Sequence, residues 1–213
     1  VPAVTALSGN VRAKLAAALA AAETQPIYED YVAALRAVLP PDKEAAQIRV
    51  RPGAPWIEPQ YIAQFARETF GATTVNADHV NGMWSVGCPA YQRATVAMTE
   101  TWGTASRDAI ELLDAVCNSK SIVVERSKGD VELRGGPTID TEATFAAQAK
   151  ATKITEEFQR WVFADETRRE LLVAEFNRRF NSLRAPQHRG AALALPGLSD
   201  RFEPHAYQRD AVA

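Results

Sequence analysis

The residues of this 213-residue chain that could do chemistry are dispersed. Glu100, Asp108 and Glu111 come closest to a catalytic set, because paired carboxylates serve as general acid and base. Their setting argues otherwise: they flank a segment patterned as a capped surface helix, where acidic side chains face water. Cys88 and Cys117 form no CxxC pair, and His79, His188 and His205 are scattered, so no zinc spacing exists. Two free thiols in a reducing cytoplasm are the simpler reading. The sequence has no GxxxxGK[ST] phosphate loop, GxGxxG turn, HExxH pair or GxSxG elbow. Asp165-Glu166 follows an aromatic run and opens a helix, so it reads as a cap. The chain is expected to be non-catalytic, with no cofactor of its own.

Binding chemistry is better represented. Arg93, Arg107, Lys120, Arg126, Lys128 and Arg134 fall in or beside residues 72–136. Such side chains neutralise phosphates and read base edges, and they also guard exposed strand edges, so both readings stand. Thr104 and Ser106 are expected to cap a helix. A helix N-terminus also holds phosphate, which makes Thr104, Ser106 and Arg107 the leading DNA-backbone site. Arg168, Arg169, Arg178, Arg179, Arg184 and Arg189 form a second cluster, partly neutralised by Glu170 and Glu175. Trp161 lies on an apolar helical face and reads as core. Trp56, Trp84 and Trp102 sit at turns; packing is the default for all four tryptophans, with Trp84 and Trp102 the better placed to meet a partner. The net charge of −2 excludes a global basic field, so any DNA contact must be local.

The elements that would position these groups follow from hydrophobic periodicity. Hydrophobic residues at 46% and charged residues at 23% suffice for a real core, and no apolar run is long enough for a membrane span. Residues 1–71 read as a helical segment. Ser8 or Asn10 caps a helix bearing Val11, Leu15, Leu19 and Ala22, and a second helix bears Ile27, Tyr31, Leu35 and Val38. A short extended stretch at 48–51 leads through Pro52-Gly53-Ala54-Pro55 to a helix from Pro59 to Gly71. Residues 72–136 read as a small unit with a mainly antiparallel sheet. It comprises a hairpin around Asn81-Gly82, a third strand at 94–101, a helix with Ile110, Leu113 and Val116 inward, and a strand pair, 122–125 with 131–133. Residues 137–184 read as a helical pair. Asp140 starts a helix carrying Ile154, Phe158, Trp161 and Val162, and Asp165 caps one carrying Leu172, Phe176, Phe180 and Leu183. Residues 185–213 read as a linker and a new amphipathic element. The fold class is α+β.

Four stretches in this order resemble one family. They are Leu7-Ser8-Gly9-Asn10-Val11-Arg12-Ala13-Lys14-Leu15; Arg51-Pro52-Gly53-Ala54-Pro55-Trp56-Ile57; Thr101-Trp102-Gly103-Thr104-Ala105-Ser106-Arg107; and Phe176-Asn177-Arg178-Arg179-Phe180-Asn181-Ser182. They are similar to the connecting region of phage, plasmid and bacterial proteins that join an adenine-specific DNA methyltransferase to a Snf2-like superfamily 2 helicase, some of them anti-restriction proteins. The tail, residues 202–213, resembles the helicase glutamine motif. The resemblance implies that Gln208 reads an adenine edge with Phe202 or Tyr207 against the base, and that the parent protein uses ATP and S-adenosylmethionine. It further implies a cytoplasmic module that binds DNA and contacts flanking methyltransferase and helicase domains. The absence of an initiator Met and the ending in mid-helix fit a piece of a longer chain. The alternatives are a structural spacer without DNA contacts, favoured by the net charge, and a protein–protein interaction domain of an anti-restriction protein.

Overall fold

The computed structural model describes residues 2–126, 138–186, 197, 199 and 203–212, and the protein is α+β. In chain order its elements are α1 (Ala3–Ala6), β1 (Gly9–Asn10), α2 (Val11–Ala22), α3 (Glu29–Val38), α4 (Pro59–Phe70), β2 (Asn76–Val80), β3 (Met83–Gly87), α5 (Ala109–Cys117), α6 (Thr141–Trp161), α7 (Glu166–Phe180), β4 (Leu183–Arg184) and α8 (Ala206–Val212). They form two compact units, one of Val1–Glu44 with Leu171–Ala213, the other of Ala45–Glu170. This grouping runs across the four sequence segments: the two ends of the chain share a unit.

In the first unit, the Asn10 side chain accepts a hydrogen bond from the Ala13 amide at 2.9 Å and so caps α2. Val11 and Ala18 of α2 meet Val32 and Leu35 of α3, with Leu15, Tyr31 and Val38 packed around them. Two members of the expected stripes face outward: Leu19 is 40% and Ile27 82% exposed. Val11, Leu15, Ala18 and Ala22 share one face at helical spacing, and Leu19 is turned about 100° away from Ala18. Ile27 falls in a 3-10 turn before α3 begins.

β1 pairs antiparallel with β4, Gly9 against Arg184 and Asn10 against Leu183, a partnership no local pattern announces. Around it, Val11 N–H donates to Ser182 O at 2.9 Å and Arg12 Nε to Asn181 O at 2.8 Å. Asn177 Oδ1 accepts from Lys43 N–H at 2.8 Å while its Nδ2 donates to Lys43 O at 2.9 Å. Asn181 Nδ2 donates to Pro41 O at 2.7 Å. The first and last of the four quoted stretches are therefore two sides of one polar clasp. This corrects the apolar stripe expected on α7. Leu172 is buried, but Phe180 and Leu183 are exposed at 55% and 71%, and Asn177 and Ser182 take the interior positions. Their hydrogen bonds offset the cost of burying polar groups.

In the second unit, Pro59 opens α4 and Gly71, at φ +74°, closes it. Phe65 is fully buried and meets Phe70, Phe158 and Trp161 edge-on, with ring centroids 5.2–5.4 Å apart. Such burial contributes about 2–3 kcal/mol for one large side chain, and each edge-to-face pair adds about 0.5–1.5 kcal/mol. Asp140 caps α6 by accepting from Ala143 N–H at 3.0 Å, and Asp165 caps α7 by accepting from Arg168 N–H at 2.8 Å. β2 and β3 form the expected hairpin, with Asn81 and Gly82 both at positive φ, 52° and 78°. That is the backbone a two-residue hairpin turn of matching twist requires.

Two strand expectations fail. Residues 94–101 form no strand, and Ala97–Thr101 is a π-helical turn. Thr95 O accepts from both Met98 N–H and Thr99 N–H at 3.0 Å, which starts a helical turn, and Met98 alone points inward, so the alternation buries nothing. Residues 122–125 contribute only a bridge between Glu125 and Ile139. Their polar groups are taken up singly by other partners: Val124 N–H donates to Thr144 Oγ1 at 3.0 Å, Gln148 Nε2 to Ile122 O at 3.0 Å, and Asp140 N–H to Val124 O at 2.9 Å. The expected partner at 131–133, with Lys128 and Arg134, lies outside the described residues.

Candidate functional site

The site with most charge chemistry is built on α5. Asp108 Oδ1 accepts from Ile110 N–H at 2.9 Å and Glu111 N–H at 3.0 Å, so Asp108 is the N-cap. Ile110, Leu112, Leu113 and Cys117 are buried, which turns Glu111 and Asp114 toward the periphery. α5 then covers the outer edge of β3. Asn118 Oδ1 accepts from Trp84 N–H and its Nδ2 donates to Trp84 O, both at 2.9 Å, while Asp114 Oδ1 accepts from Val86 N–H at 3.1 Å. One asparagine side chain thus stands in for a neighbouring strand.

Beside α5 opens a pocket of about 430 Å³ lined by Arg93, Arg107, Glu111, Asp114 and Lys120, with Val86 and Ile110 among its apolar walls. The structure therefore brings together three of the predicted DNA-contacting residues. Arg93 Nη1 lies 3.3 Å from Asp108 and 3.7 Å from Glu111. Arg107 Nη1 lies 3.8 Å from Glu111, and its Nη2 donates to Val123 O at 3.2 Å. Lys120 Nζ lies 2.9 Å from Asp114. Glu111 and Asp114 were not foreseen as parts of this array. The i, i+4 spacing of Arg107 and Glu111 and the i, i+3 spacing of Glu111 and Asp114 are the signals that would have shown it.

Thr104 and Ser106 are not helix caps. Thr104 Oγ1 accepts from Arg107 N–H at 3.0 Å inside a loop, and α5 starts later, at Ala109. The Asp108 carboxylate fills the N-terminal donors of α5, so a phosphate there would have to displace it. Trp84 is packed and not placed to meet a partner: it is 4% exposed, and its Nε1 donates to Gly53 O at 3.0 Å. It shares the inward face of β3 with Val86, while Met83 and Ser85 face out. Trp102 rests against Phe70 at 5.9 Å between centroids, with Lys153 Nζ 4.2 Å above its ring. Lys150 and Lys153 donate to the carbonyls closing the π-helical turn.

In the second basic cluster, Arg168 is buried, stacks 3.6 Å from the Trp161 ring and donates to the Trp161 and Val162 carbonyls. It closes α6 and is not a ligand group. Glu175 pairs with Arg178 and Arg179, and Arg189 lies outside the described residues. Gln208 Oε1 accepts from His205 N–H at 2.9 Å, which caps α8 from its third position. Tyr207 stacks on His205, and Phe202 lies outside the described residues. Among the described residues no three His, Cys, Asp or Glu side chains gather as metal ligands, and no helix is long and apolar enough to cross a membrane.

A family model described as a domain of unknown function (DUF8437) matches residues 51–182, more than half of the chain. The chain belongs to this family. The DUF8437 match takes in the whole α5 pocket, and Gln208 lies beyond it. No curated protein and no solved structure matches the chain.

Proposed function

We propose that the chain is a non-catalytic DNA-binding and coupling module of a protein that joins an adenine-specific DNA methyltransferase to a Snf2-like helicase. The observation that carries this reading is the convergence of Arg93, Arg107 and Lys120 on one pocket from three separate loops. Duplex phosphates would replace Glu111 and Asp114 as the partners of these cations. The helical hairpin of α2 and α3 would dock the methyltransferase, and α7 with the tail would dock the motor. ATP and S-adenosylmethionine would belong to those flanking domains. For Gln208 to read adenine, its amide oxygen would have to leave the α8 cap.

A second reading, a spacer without DNA contacts, is favoured by the carboxylate beside each of the three cations. A labelled duplex titrated across a salt series separates the two. A coupling module gives a log–log salt slope equivalent to several released counterions, and Arg107→Ala and Lys120→Ala each lower it by about 0.9. Absence of binding by the full chain at low salt establishes the spacer.

A further inference from the structure

Residues 48–51 form a short extended segment between two turns, with an open edge at Arg49. Burial alternates along them, with Ile48 and Val50 inward and Arg49 and Arg51 exposed, the period of extended backbone. The inner edge is occupied by a side chain: Gln159 of α6 donates its Nε2 to Ile48 O at 3.2 Å and accepts at Oε1 from Val50 N–H at 2.6 Å. Bonding the carbonyl of one residue and the amide two residues on is how a parallel strand engages its neighbour. One glutamine amide therefore acts as a neighbouring peptide group and holds the segment extended. In that arrangement the Arg49 N–H and C=O point to the opposite side, where they make no hydrogen bond within the described residues.

The charges on this edge differ from those of the α5 pocket. Arg49 and Arg51 have no carboxylate partner among the described residues, and they line a groove of about 690 Å³ with Arg160, Glu156 and Thr155 of α6. Glu157 pairs with Arg160. The two side chains leave the backbone on the same face, two residues or about 6.6 Å apart at their Cα atoms.

We propose that this edge binds an extended acidic peptide by strand addition, independently of the DNA reading above. The peptide's main chain pairs with the Arg49 N–H and C=O. Carboxylates at every second position meet Arg49 and Arg51, since directly opposed residues on paired strands bring their Cβ atoms within about 5.5 Å. A peptide is favoured over a nucleic-acid strand because the open groups include a main-chain donor and acceptor in strand register. A run of guanidiniums alone would suit either ligand.

The test is fluorescence anisotropy of the full chain with a labelled short peptide alternating glutamate and valine. Three controls accompany it: the lysine–valine peptide, the glutamate–valine peptide N-methylated at alternate residues, and a labelled oligothymidylate. Specific binding of the unmethylated acidic peptide is expected. The Arg49→Gln/Arg51→Gln chain should lose affinity at least tenfold with its circular dichroism unchanged, and N-methylation should cause a similar loss. Three outcomes overturn the proposal: no binding of the acidic peptide, equal binding of the N-methylated or lysine peptide, or binding of oligothymidylate alone.

Discussion

Glu111→Gln tests the α5 pocket most directly, because one carboxylate serves two cations. Its oxygens lie 3.7 Å from Arg93 and 3.8 Å from Arg107. The change is nearly isosteric and leaves the Asp108 cap intact. The glutamate side chain is 40% exposed, so each ion pair contributes at most a few tenths of a kcal/mol. At that size the melting temperature falls by less than about 2 °C in a chain of this length. The effect on DNA should be larger and of opposite sign. In the parent, phosphate must displace Glu111 from both guanidiniums, so without that carboxylate affinity at low salt should rise several-fold, while the slope of log affinity against log salt, set by the number of phosphates contacted, stays the same. The assay is anisotropy of a labelled duplex across a salt series, with thermal melting in parallel. A Glu111→Gln chain that melts like its parent and binds the duplex no more tightly would refute the view that this carboxylate holds the two arginines in check.

Further outcomes are fixed by other contacts. Gly103→Ala places a Cβ 2.0 Å from Met98 O and 2.7 Å from Ala109 N; backbone on both sides cannot yield cheaply, so urea unfolding should show a loss of about 3 kcal/mol. Trp161→Phe removes the 2.6 Å hydrogen bond to Glu68 and the stacking of Arg168, and should cost about 1–2 kcal/mol. Burial pushes the Cys117 thiol up to about 12 from an ordinary value near 9, so the folded state holds its proton more tightly than the unfolded state. This contribution to stability is complete below pH 9 and is lost as pH rises toward 12. At pH 8 a thiol reagent should label partly exposed Cys88 readily and Cys117 only after denaturation. Two equivalents of label taken up at one rate by the native chain would contradict that burial.

The sequence was legible where a signal is local. Asn81-Gly82 demands positive φ twice, Pro59 and Gly71 bracket α4, and Asp140 sits where a cap must sit, so these elements appear as expected. It was opaque where long-range bonds decide. Residues 94–101 alternate in polarity, yet Thr95 and the packing of Met98 wind them into a π-helical turn. Residues 122–125 have strand composition, yet α6 side chains, the Asp140 amide and Arg107 each take some of their polar groups. Trp84 was within reach: its period-2 relation to Val86 puts both on the inward face. The α5 pocket was half legible. Its cations were visible in the sequence, but their convergence depends on Asp108, and not Thr104 or Ser106, setting where the helix begins.

The polar clasp that ties Asn177, Asn181 and Ser182 to Val11, Arg12, Pro41 and Lys43 has a consequence for biosynthesis. When the α2–α3 hairpin leaves the ribosome, the residues that complete its unit have not yet been made. All of Ala45–Glu170 is translated first, a wait of roughly ten seconds at about 5–20 residues per second. Meanwhile the Gly9-Asn10 edge and the buried end of the hairpin stand open. The second unit, continuous in the chain, is free to fold in that interval, so the order of assembly is set inside-out by the topology: the middle of the chain matures before its beginning.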